Sequence, residues 1–386
     1  MVTERLYYAD SYIKSFSAAV VSCNSCDSFY CTVLDKTAFF PEGGGQKADT
    51  GYIGNIFVYD VLEKDGEIYH YTKEPLEVNS VYECSIDWDT RFKRMQSHSG
   101  EHIISGIVCG TYGFNNVGFH MDEDHITIDF DGELSKEQIK DVEIKANKII
   151  YDNRVIKCYF PSEDVLPTLE YRSKLDLTED VRIVDIDGVD VCACCAPHVN
   201  KTGEIGIIKI LDSMRHRGGV RLTVKCGFDA FMDYFEKYSS VQEISCLLSS
   251  KQCEVVSSVE RVISETDKCK REFSAFKQRI CEEDIDSLSF VNGVSYFISS
   301  YYDSDMMRFL ANHGMTVSEL SIILSGDDEN GYSYIIASES VDLSQFAKKI
   351  NSALNGRGGG RGTMIQGKIL ANRKEISDFL NNLDLE

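Results

Sequence analysis

Residues 89–102, DTRFKRMQSHSGEH, predict a helix that carries two histidines on one face. Asp89 or Thr90 can cap its first turn, because both side chains accept hydrogen bonds from free backbone amides. His98 and His102 are four residues apart, so their imidazoles share one face and can reach a single ion. Histidines at this spacing also occur without a ligand, so the pair alone does not define a metal site.

A second pair of metal-binding residue types follows in CACCAPH, residues 192–198. Cys194 and His198 are again four apart, and Pro197 disfavours helix at Ala196, so this pair is predicted on a tight loop. Together the two pairs make a His₃Cys set, which suits tetrahedral zinc. The alternative is that all four are core residues without an ion.

The first motif also permits a rival interpretation. His98-Ser99-Gly100-Glu101-His102 satisfies H-x-x-E-H, the signature of inverted-zincin metallopeptidases, in which the glutamate is the general base. That scheme needs a further carboxylate ligand on a downstream helix. It also leaves Cys194 and His198 without a role.

The composition is that of a globular protein with a strong negative charge. The 386 residues include 40 Lys and Arg against 62 Asp and Glu, which gives −22, and 43% are hydrophobic. This composition excludes collagen-like and wholly disordered chains, and no apolar run approaches the length of about 18 residues that a membrane span needs. The charge argues against indiscriminate binding to DNA, RNA or anionic membranes, while a local basic patch stays compatible with it.

Cysteine usage indicates a reducing location. The chain has 14 cysteines and no cationic and apolar export signal at its start, so we expect a cytoplasmic protein. In that compartment a Cys/His cluster is better explained by a metal than by disulfides.

The first 227 residues mix strands and helices, which predicts an α+β fold. Apolar residues alternate with polar ones at 126–130 and 220–226, the pattern of half-buried strands. Asp187-Gly188 predicts a hairpin turn, and Ser135-x-x-Gln138 predicts a capping box that begins a helix through about Ile150.

The rest of the chain predicts a helical segment and a further domain. Residues 229–282 lack glycine and proline and predict two helices, separated near Ser249-Ser250 and packed as a hairpin. Beyond residue 290, strands at 320–324 and 332–337 flank a turn. Asp342 then caps a helix that Gly356 is expected to end.

Three consecutive glycines mark another unusual stretch. Phe39-Phe40-Pro41-Glu42-Gly43-Gly44-Gly45-Gln46 lets the backbone approach a ligand closely, although a flexible loop is the simpler alternative.

In order along the chain, these motifs resemble the alanyl-tRNA editing protein family, freestanding relatives of the editing domain of alanyl-tRNA synthetase. The resemblance rests on Phe40-Pro41-Glu42-Gly43-Gly44-Gly45-Gln46-x-x-Asp49-x-Gly51, Asp87-Trp88-x-x-Arg91-x-x-x-Met95-x-x-His98-x-x-x-His102, and Cys194-x-x-x-His198-Val199 followed by Thr202-Gly203-Glu204-Ile205-Gly206. Gly356-Arg357-Gly358-Gly359-Gly360-Arg361-Gly362 resembles the glycine-rich signature of the DHHA1 domain that ends the synthetase. The likeness spans nearly the whole chain and is to the long form of the family.

The resemblance implies an α+β protein of four parts. Residues 1–88 would form a small β-rich, barrel-like subdomain with the glycine motif, and 89–227 the zinc-containing editing domain. Residues 228–289 would form a helical, coiled-coil-like spacer, and 290–386 an α/β DHHA1-like domain that binds tRNA or dimerises.

The implied activity is ATP-independent hydrolysis of the ester that joins serine, and also glycine, to tRNA(Ala). His98, His102, Cys194 and His198 become the ligands of one Zn²⁺ per chain, which would be either hydrolytic or substrate-orienting. The sequence departs from the synthetase-type motif at Cys195-Ala196-Pro197 and at Glu101. These departures leave the ligand pairs intact and affect side-chain selection.

Three residues are candidates for catalysis or positioning: Glu101, His120 and Gln46. Each has a bland alternative, respectively a solvated helix glutamate, a turn histidine and a loop glutamine. The candidates for contact with the acceptor stem and the aminoacylated 3′ end of tRNA(Ala) are the loop glycines and the basic residues of two clusters, Gly43, Gly44, Gly45, Arg215, Arg217, Arg221, Arg357, Arg361 and Lys368. Ordinary surface charge is the alternative for both clusters.

Two other classes of function stay open beside the deacylase. One is the metallopeptidase introduced above. The other is a tRNA-binding module without catalytic activity, which also would contain the basic clusters. A homodimer through residues 228–386 is a further expectation, and no membrane or DNA partner is expected.

Overall fold

The computed structural model describes residues 2–173 and 181–383. It is a mixture of helices and sheets, so the α+β prediction is confirmed. The chain forms two compact units, residues 1–243 and 244–386. The predicted finer division at residues 88, 227 and 289 stays a prediction. Among the described residues no helix is both long and apolar enough to cross a membrane.

The N-terminal part of the first unit is built from short strands around an apolar core. Its elements are β1 (Glu4–Arg5), α1 (Leu6–Ala9), β2 (Ser15–Cys26), β3 (Phe29–Leu34), β4 (Lys36–Thr37), β5 (Gly51–Ile53), β6 (Ile56–Lys64), β7 (Glu67–Thr72) and β8 (Val81–Ile86). Six strands close in the order β2-β3-β7-β6-β5-β8, and β1 pairs with β4. The buried residues of this core include Phe39, Phe40 and Ile53. Phe39 and Phe40 begin the glycine stretch, so their burial holds that stretch against the core.

The remainder of the first unit surrounds a long central helix. Its elements are α2 (Trp88–Tyr112), β9 (Asn116–Met121), β10 (Ile126–Phe130), α3 (Lys136–Asp152), β11 (Ile156–Tyr159), 3₁₀ turns Leu166–Thr168 and Thr202–Ile205, β12 (Ile183–Ile186), β13 (Asp190–Ala193), β14 (Ile208–His216) and β15 (Gly219–Cys226). The sheets have the orders β14-β15-β10-β9 and β11-β12-β13. The predicted strands, hairpin turn and capping box of α3 are confirmed.

The prediction of the cap of α2 was wrong by two or three residues. Asp87 is the cap, and its carboxylate accepts the Thr90 amide at 3.2 Å. Thr90 instead donates its hydroxyl to Asp87 at 2.8 Å. The helix ends at Gly113, whose φ of 73° is favourable only for glycine and a few polar residues.

Two helices follow, with a break where the serines are. The elements are α4 (Gly227–Leu247), a 3₁₀ turn (Gln252–Glu254) and α5 (Val255–Asp284). Ser249 has a φ of 48°, so the chain leaves helical geometry there and the predicted break is confirmed. Most apolar side chains of both helices are exposed.

The second unit ends in a six-stranded sheet with helices packed on it. Its elements are a 3₁₀ turn (Ile285–Ser287), β16 (Ser289–Val291), β17 (Val294–Ser299), α6 (Ser304–Val317), β18 (Leu320–Asp327), β19 (Gly331–Ala337), α7 (Leu343–Ala353), β20 (Gly356–Gly359), β21 (Met364–Ile369) and α8 (Arg373–Asn381). The strand order is β16-β17-β18-β19-β21-β20, in which only β17 and β18 pair in parallel.

Asp342 caps α7 as predicted, but Gly356 does not end it. Asn355 adopts the left-handed conformation after the helix, with a φ of 48°. Gly356 begins β20, where a Cβ would lie 2.7 Å from the Ile369 side chain. A glycine is therefore needed there for close packing between strands rather than for the helix end.

Candidate metal centre

The first two candidate ligands lie on α2. His98 and His102 are 3% and 2% exposed, and their rings stack with centroids 5.5 Å apart. Helix α2 is buried at nearly every position from 97 to 108, because sheets and α3 surround it. The two imidazoles thus point into the interior on one face, as their spacing predicts.

The other two ligands lie on the loop after β13. The Cys194 amide donates to the Arg182 carbonyl at 3.0 Å. Arg182 Nη1 in turn donates to the carbonyls of Cys194 and Ala196 at 3.0 and 2.8 Å. Ser11 Oγ donates to the His198 carbonyl at 2.9 Å. These bonds fix a loop that has no regular secondary structure of its own.

The four side chains converge on one point. Their candidate ligand atoms all lie within 4.8 Å of one another. Cys194 Sγ is 3.5 Å from His98 Nε2 and 3.4 Å from His198 Nε2. In tetrahedral zinc sites with ordinary bond lengths, nitrogen and sulfur ligands lie about 3.5 Å apart. The residues therefore fit a tetrahedral metal ion.

Each imidazole is also held on its other nitrogen. His98 Nδ1 lies 3.1 Å from Gln46 Oε1, and His198 Nδ1 lies 3.0 Å from Ser99 Oγ. His102 Nδ1 lies 2.9 Å from Asp190 Oδ2. Such contacts fix ring orientation in metal sites and leave every Nε2 facing the common point.

The electrostatics of the cluster also suit a cation. Burial alone would raise the pKa of the Cys194 thiol, but the neighbouring imidazoles, above all His98, lower it well below its usual value. Burial lowers the pKa of His198 to about 3. A thiolate and a neutral imidazole are the protonation states that metal ligands need.

His102 has the opposite shift. Burial would lower its pKa, but the charge of Glu101 and the hydrogen bond to Asp190 raise it well above the usual value. The same two carboxylates would stabilise a metal ion in place of that proton.

A cavity of about 560 Å³ opens beside the cluster. One wall comes from the glycine loop and one from β9, and the ligand helix closes the back. The lining residues are Tyr8, Gly44, Gly45, His98, Glu101, His102, Val117, Gly118, Phe119, His120, Arg172, Ser173, Arg182, Cys192, Ala193, Cys194 and Cys195. Three of the four candidate ligands, His98, His102 and Cys194, line this cavity, so a small ligand can reach the cluster through it.

Glu101 lies in the cavity wall and is 4% exposed. Its Oε1 accepts hydrogen bonds from Ser105 Oγ at 2.6 Å and from Asn116 Nδ2. Its Oε2 is 3.7 Å from His102 Nε2. One oxygen is therefore held by the protein while the other faces the candidate metal, and the solvated-glutamate alternative does not apply.

The other two candidate catalytic residues differ in their access. His120 is exposed on β9 and lines the cavity. Gln46 is fully buried behind His98 and is not among the residues that line the cavity. Gln46 Nε2 has no hydrogen-bond partner within the described ranges. Gln46 thus contacts the cluster through His98.

The glycine loop makes a tight turn against β9. The Gly43 amide donates to the Gln46 carbonyl at 3.1 Å, and the Gln46 amide donates back at 3.0 Å. Gly44 and Gly45 have φ values of 59° and 81°. A Cβ on Gly45 would lie 2.7 Å from the Phe119 ring. Glycine here permits both the turn and the close approach that shapes the cavity.

The two basic clusters differ in how their charges are engaged. Arg215 reaches Glu133 at 3.1 Å, and Arg221 forms two bonds to Asp129 at 2.6 and 2.7 Å. Arg217 occupies the turn between β14 and β15. The three cations of the second cluster, Arg357, Arg361 and Lys368, are exposed on and beside the glycine-rich strand β20.

Sequence reasoning missed the residues that support the ligands, chiefly Asp190, Ser99, Arg172 and Arg182. Arg172 forms a pair of bonds to Asp190 at 2.6 and 2.7 Å, so Asp190 joins this guanidinium to His102. The only signal was proximity along the chain, since Asp190 and Arg182 precede the Cys194 motif on a hairpin.

Two stretches of the chain match known families. Residues 181–222 match the family described as threonyl and alanyl tRNA synthetase second additional domain, and residues 291–384 match the DHHA1 domain. The first stretch contains two of the four candidate ligands, Cys194 and His198.

Full-length relatives point the same way. The chain is 30% identical to the alanyl-tRNA editing protein AlaX-L of Pyrococcus horikoshii, over 98% of this chain and 97% of that one. It is 25% identical to the alanyl-tRNA editing protein Aarsd1 of Rattus norvegicus, over 97% and 96%. It is 27% identical to an alanine–tRNA ligase of Ignicoccus hospitalis, over 99% of this chain and 43% of the ligase. Given the first likeness over nearly the full length of both chains, this chain belongs to the alanyl-tRNA editing protein family.

Proposed function

We propose that this protein is a trans-editing deacylase, which hydrolyses the ester of tRNA(Ala) charged with serine or glycine. The observation that carries the proposal is the convergence of three anchored imidazoles and one thiolate beside a cavity. Family membership supports the same activity, because relatives of this length are named alanyl-tRNA editing proteins.

The proposed cofactor is one Zn²⁺, held by His98, His102, Cys194 and His198. Three imidazoles and a thiolate are a donor set that zinc prefers, and the spacing of Sγ from two Nε2 atoms suits it. When bound, zinc would polarise or orient the aminoacyl end. The chain's own contribution is to hold the ligands, through Gln46, Ser99 and Asp190.

Glu101 is the proposed general base. Ser105 and Asn116 hold its Oε1, so Oε2 is the oxygen left to face the reacting group. In the proposed step, a water oxygen bonds to the ester carbonyl carbon and Glu101 takes the water proton. The bond from that carbon to the ribose oxygen breaks, and the proton passes to the ribose oxygen. The products are free amino acid and uncharged tRNA.

Selection against alanine would depend on the serine hydroxyl. A buried polar wall that pairs with this hydroxyl leaves unpaired groups when alanine is bound, which can give strong discrimination. Glu101 and His120 are the polar candidates in this cavity. Glycine would need only space, so the cavity walls rather than a hydrogen bond would admit it.

The proposed partner is the acceptor stem and 3′ end of tRNA(Ala), and the proposed location is the cytoplasm. The backbone at Gly43, Gly44 and Gly45 and the two basic clusters are the proposed contacts. The cations of the second cluster are exposed, whereas Arg215 and Arg221 of the first cluster are engaged by Glu133 and Asp129.

We also propose a homodimer through residues 228–386. Helix α5 supports this with a set of exposed apolar side chains that a second copy could cover, Val256, Ile263, Phe273 and Phe276. Light scattering of the full chain should then give twice the 43.5 kDa of one chain.

The direct test is a deacylation panel on Ser-, Gly- and Ala-tRNA(Ala), with bound zinc measured in the same samples. The wild type should clear the seryl and glycyl esters and spare the alanyl ester. Cys194→Ala should lose zinc and activity together, whereas Glu101→Gln should keep zinc and lose about 10²- to 10⁴-fold in kcat. Cys195→Ala is the matched cysteine control and should keep zinc.

The same panel separates the alternatives. A metallopeptidase of the inverted-zincin type has no use for Cys194 or His198, so zinc retention in Cys194→Ala with peptide cleavage would favour it. A tRNA-binding module without activity would bind tRNA(Ala) equally in wild type and His98→Ala and cleave no ester. Intact Ser-tRNA(Ala) in the presence of zinc-loaded wild type would overturn the deacylase.

A further inference from the structure

The cavity contains a buried positive charge that the proposed chemistry does not use. Arg182 is only 6% exposed, yet it is among the residues that line the cavity. Its Nη1 donates to the carbonyls of Cys194 and Ala196, and its guanidinium carbon lies 5.4 Å from the centre of the Tyr8 ring.

Arg182 differs from two other guanidinium groups of this unit, the buried Arg91 and the half-buried Arg172. Arg91 is paired with Asp49, and Arg172 with Asp190. Within residues 2–173 and 181–383, no carboxylate oxygen lies within 4 Å of the Arg182 guanidinium. Arginines are almost never this buried without an anionic partner, because an isolated buried charge is costly. The carbonyls and the Tyr8 ring offset part of this cost, but they supply no full negative charge.

Arg182 is held ready to accept such a partner. Two carbonyls fix one edge of its guanidinium, and the Tyr8 ring lies alongside it. Tyr8 is itself held edge-on by Tyr7 at 4.7 Å and by Phe160 at 5.3 Å. A guanidinium fixed in this way loses little freedom when it binds an oxyanion.

The substrate supplies one anion at a suitable position. The aminoacyl ester is uncharged on its acyl side, and the ammonium group is positive. The nearest negative charge is the phosphodiester on the 5′ side of the terminal adenosine, one ribose from the ester. Arg182 bonds the carbonyl of the candidate ligand Cys194, so its guanidinium lies directly beside the metal cluster.

We propose that Arg182 binds the phosphodiester that precedes the terminal adenosine, with Tyr8 holding the guanidinium in place. This assignment rests on the proposed deacylase function. It orients the substrate in the cavity, with the ester at the metal and the phosphate at Arg182. The charge-assisted contact would hold the terminal ribose so that its ester lies beside the metal and Glu101.

The test measures binding rather than turnover. Adenosine and adenosine 5′-(methyl phosphate) differ only by a charged phosphodiester, and calorimetry on the zinc-loaded full chain gives both affinities. The wild type should prefer the phosphodiester by about ten-fold or more, the effect of one charge-assisted hydrogen bond. Arg182→Gln should lose this preference, and Arg182→Lys should keep part of it.

Arg5→Gln is the matched control. Arg5 also lies against Tyr8, with its guanidinium carbon 5.7 Å from the ring centre, but it is paired with Glu63. This variant should keep the preference, which excludes a general effect of positive charge. Zinc content is measured for every variant, because Arg182 also supports the ligand loop.

Two results would overturn the assignment: equal wild-type affinities for the two ligands, or a zinc-loaded Arg182→Gln variant that still prefers the phosphodiester. The wild-type comparison decides even if Arg182→Gln does not fold. A phosphodiester preference in a protein that fails to deacylate Ser-tRNA(Ala) would leave the subsite standing and remove the deacylase. Equal affinities for the two ligands in a protein that does deacylate Ser-tRNA(Ala) would remove the subsite alone.

Discussion

At the scale of single residues, the three histidines of the candidate metal centre have three different supports. Gln46 offers an amide oxygen, Ser99 a hydroxyl and Asp190 a carboxylate. Only Asp190 brings a charge, and Arg172 holds that charge in place. Burial would raise the pKa of Asp190, but His102 and Arg172 lower it, so the carboxylate stays ionised. After the charge of Glu101, its hydrogen bond is the next cause that raises the pKa of His102 well above the usual value.

Asp190→Asn should therefore weaken zinc binding without removing a ligand. Loss of such a support typically costs 10- to 100-fold in metal affinity, and we expect about that factor in competition with a chromogenic chelator. Asp187→Asn, in the exposed turn of the same hairpin, is the control and should bind zinc like the wild type. Unchanged affinity in Asp190→Asn would mean that the contact seen at 2.9 Å has no influence on the metal.

At the scale of elements, helix α2 is joined to the barrel through one buried ion pair. The side chains of Arg91 and Asp49 are 0% and 1% exposed, and Arg91 also donates to the Ala38 carbonyl at 2.6 Å. Asp49 accepts the Phe40 amide at 2.7 Å. These bonds bracket the glycine loop and hold it against the helix that carries the ligands.

Arg91→Met should cost about 3 to 5 kcal/mol in the free energy of unfolding, because Asp49 is left charged and buried. Urea denaturation of the zinc-loaded protein measures this. The double variant Arg91→Met with Asp49→Leu should recover part of the loss. Arg154→Met, which breaks the exposed pair with Asp152, should cost under about 1 kcal/mol. A loss under about 1 kcal/mol in Arg91→Met would contradict the role given to the buried ion pair.

A buried histidine on β7 contacts residues of β3 and β4. His70 on β7 contacts Thr37 Oγ1 at 2.9 Å and the Thr32 carbonyl at 3.1 Å. Burial lowers its pKa from 6.5 to about 4. The folded state binds this proton less readily than the unfolded chain, so the contribution is complete above pH 6.5 and is lost as the pH falls towards 4.

His70→Gln should therefore flatten the acid side of the stability curve. Between pH 6.5 and 4 the wild type should lose about 3 kcal/mol more than the variant, as measured by urea midpoints across that range. The His70→Gln variant should be less stable than the wild type at pH 7. The quantity compared is therefore the slope of stability against pH. Parallel curves for wild type and His70→Gln would contradict the shift.

Local sequence patterns predicted helices, strands and turns well, but they predicted poorly which residues contact one another in the folded chain. The capping box of α3, the hairpin at Asp187-Gly188 and the break near Ser249 all follow from neighbouring residues, and all are confirmed. The boundaries at Asp87 and Asn355 were missed, because competing polar residues stood within two positions and only tertiary packing chooses between them.

The same limit applies to the candidate site. Residue type and spacing predicted His98 and Cys194 as ligands from the sequence, because residues four apart share a helix face or a turn. The contacts of Gln46 with His98 and of Asp190 with His102 join positions 52 and 88 residues apart. No spacing rule covers such pairs, because they depend on how the barrel and the hairpin pack on α2.

At the scale of the whole molecule, a net charge of −22 must be reconciled with a polyanionic partner. The candidate positive surface in the second unit is small, and β20 displays it on glycine-rich backbone with little side-chain bulk. Binding would therefore depend on a few phosphate contacts, and the surrounding negative charge would repel other RNAs.

Arg357→Gln combined with Arg361→Gln should weaken tRNA(Ala) binding and reduce its salt dependence. Each lost phosphate contact lowers the slope of log affinity against log salt by about 0.7 to 0.9, so we expect a change of about 1.5. Lys270→Gln with Arg271→Gln, exposed on α5, removes the same charge and should leave the slope unchanged. Equal slopes in both double variants would place the RNA elsewhere.

The candidate ion site draws on widely separated stretches of chain. The loop between β4 and β5 supplies Gln46, helix α2 supplies two imidazoles and Ser99, and the hairpin and its loop supply Asp190 and the remaining candidate ligands. An ion bound there would add a further link between pieces that already meet through packing, hydrogen bonds and the buried Arg91–Asp49 pair. Removing such an ion with a chelator should therefore loosen the glycine turn as well as the thiolate loop.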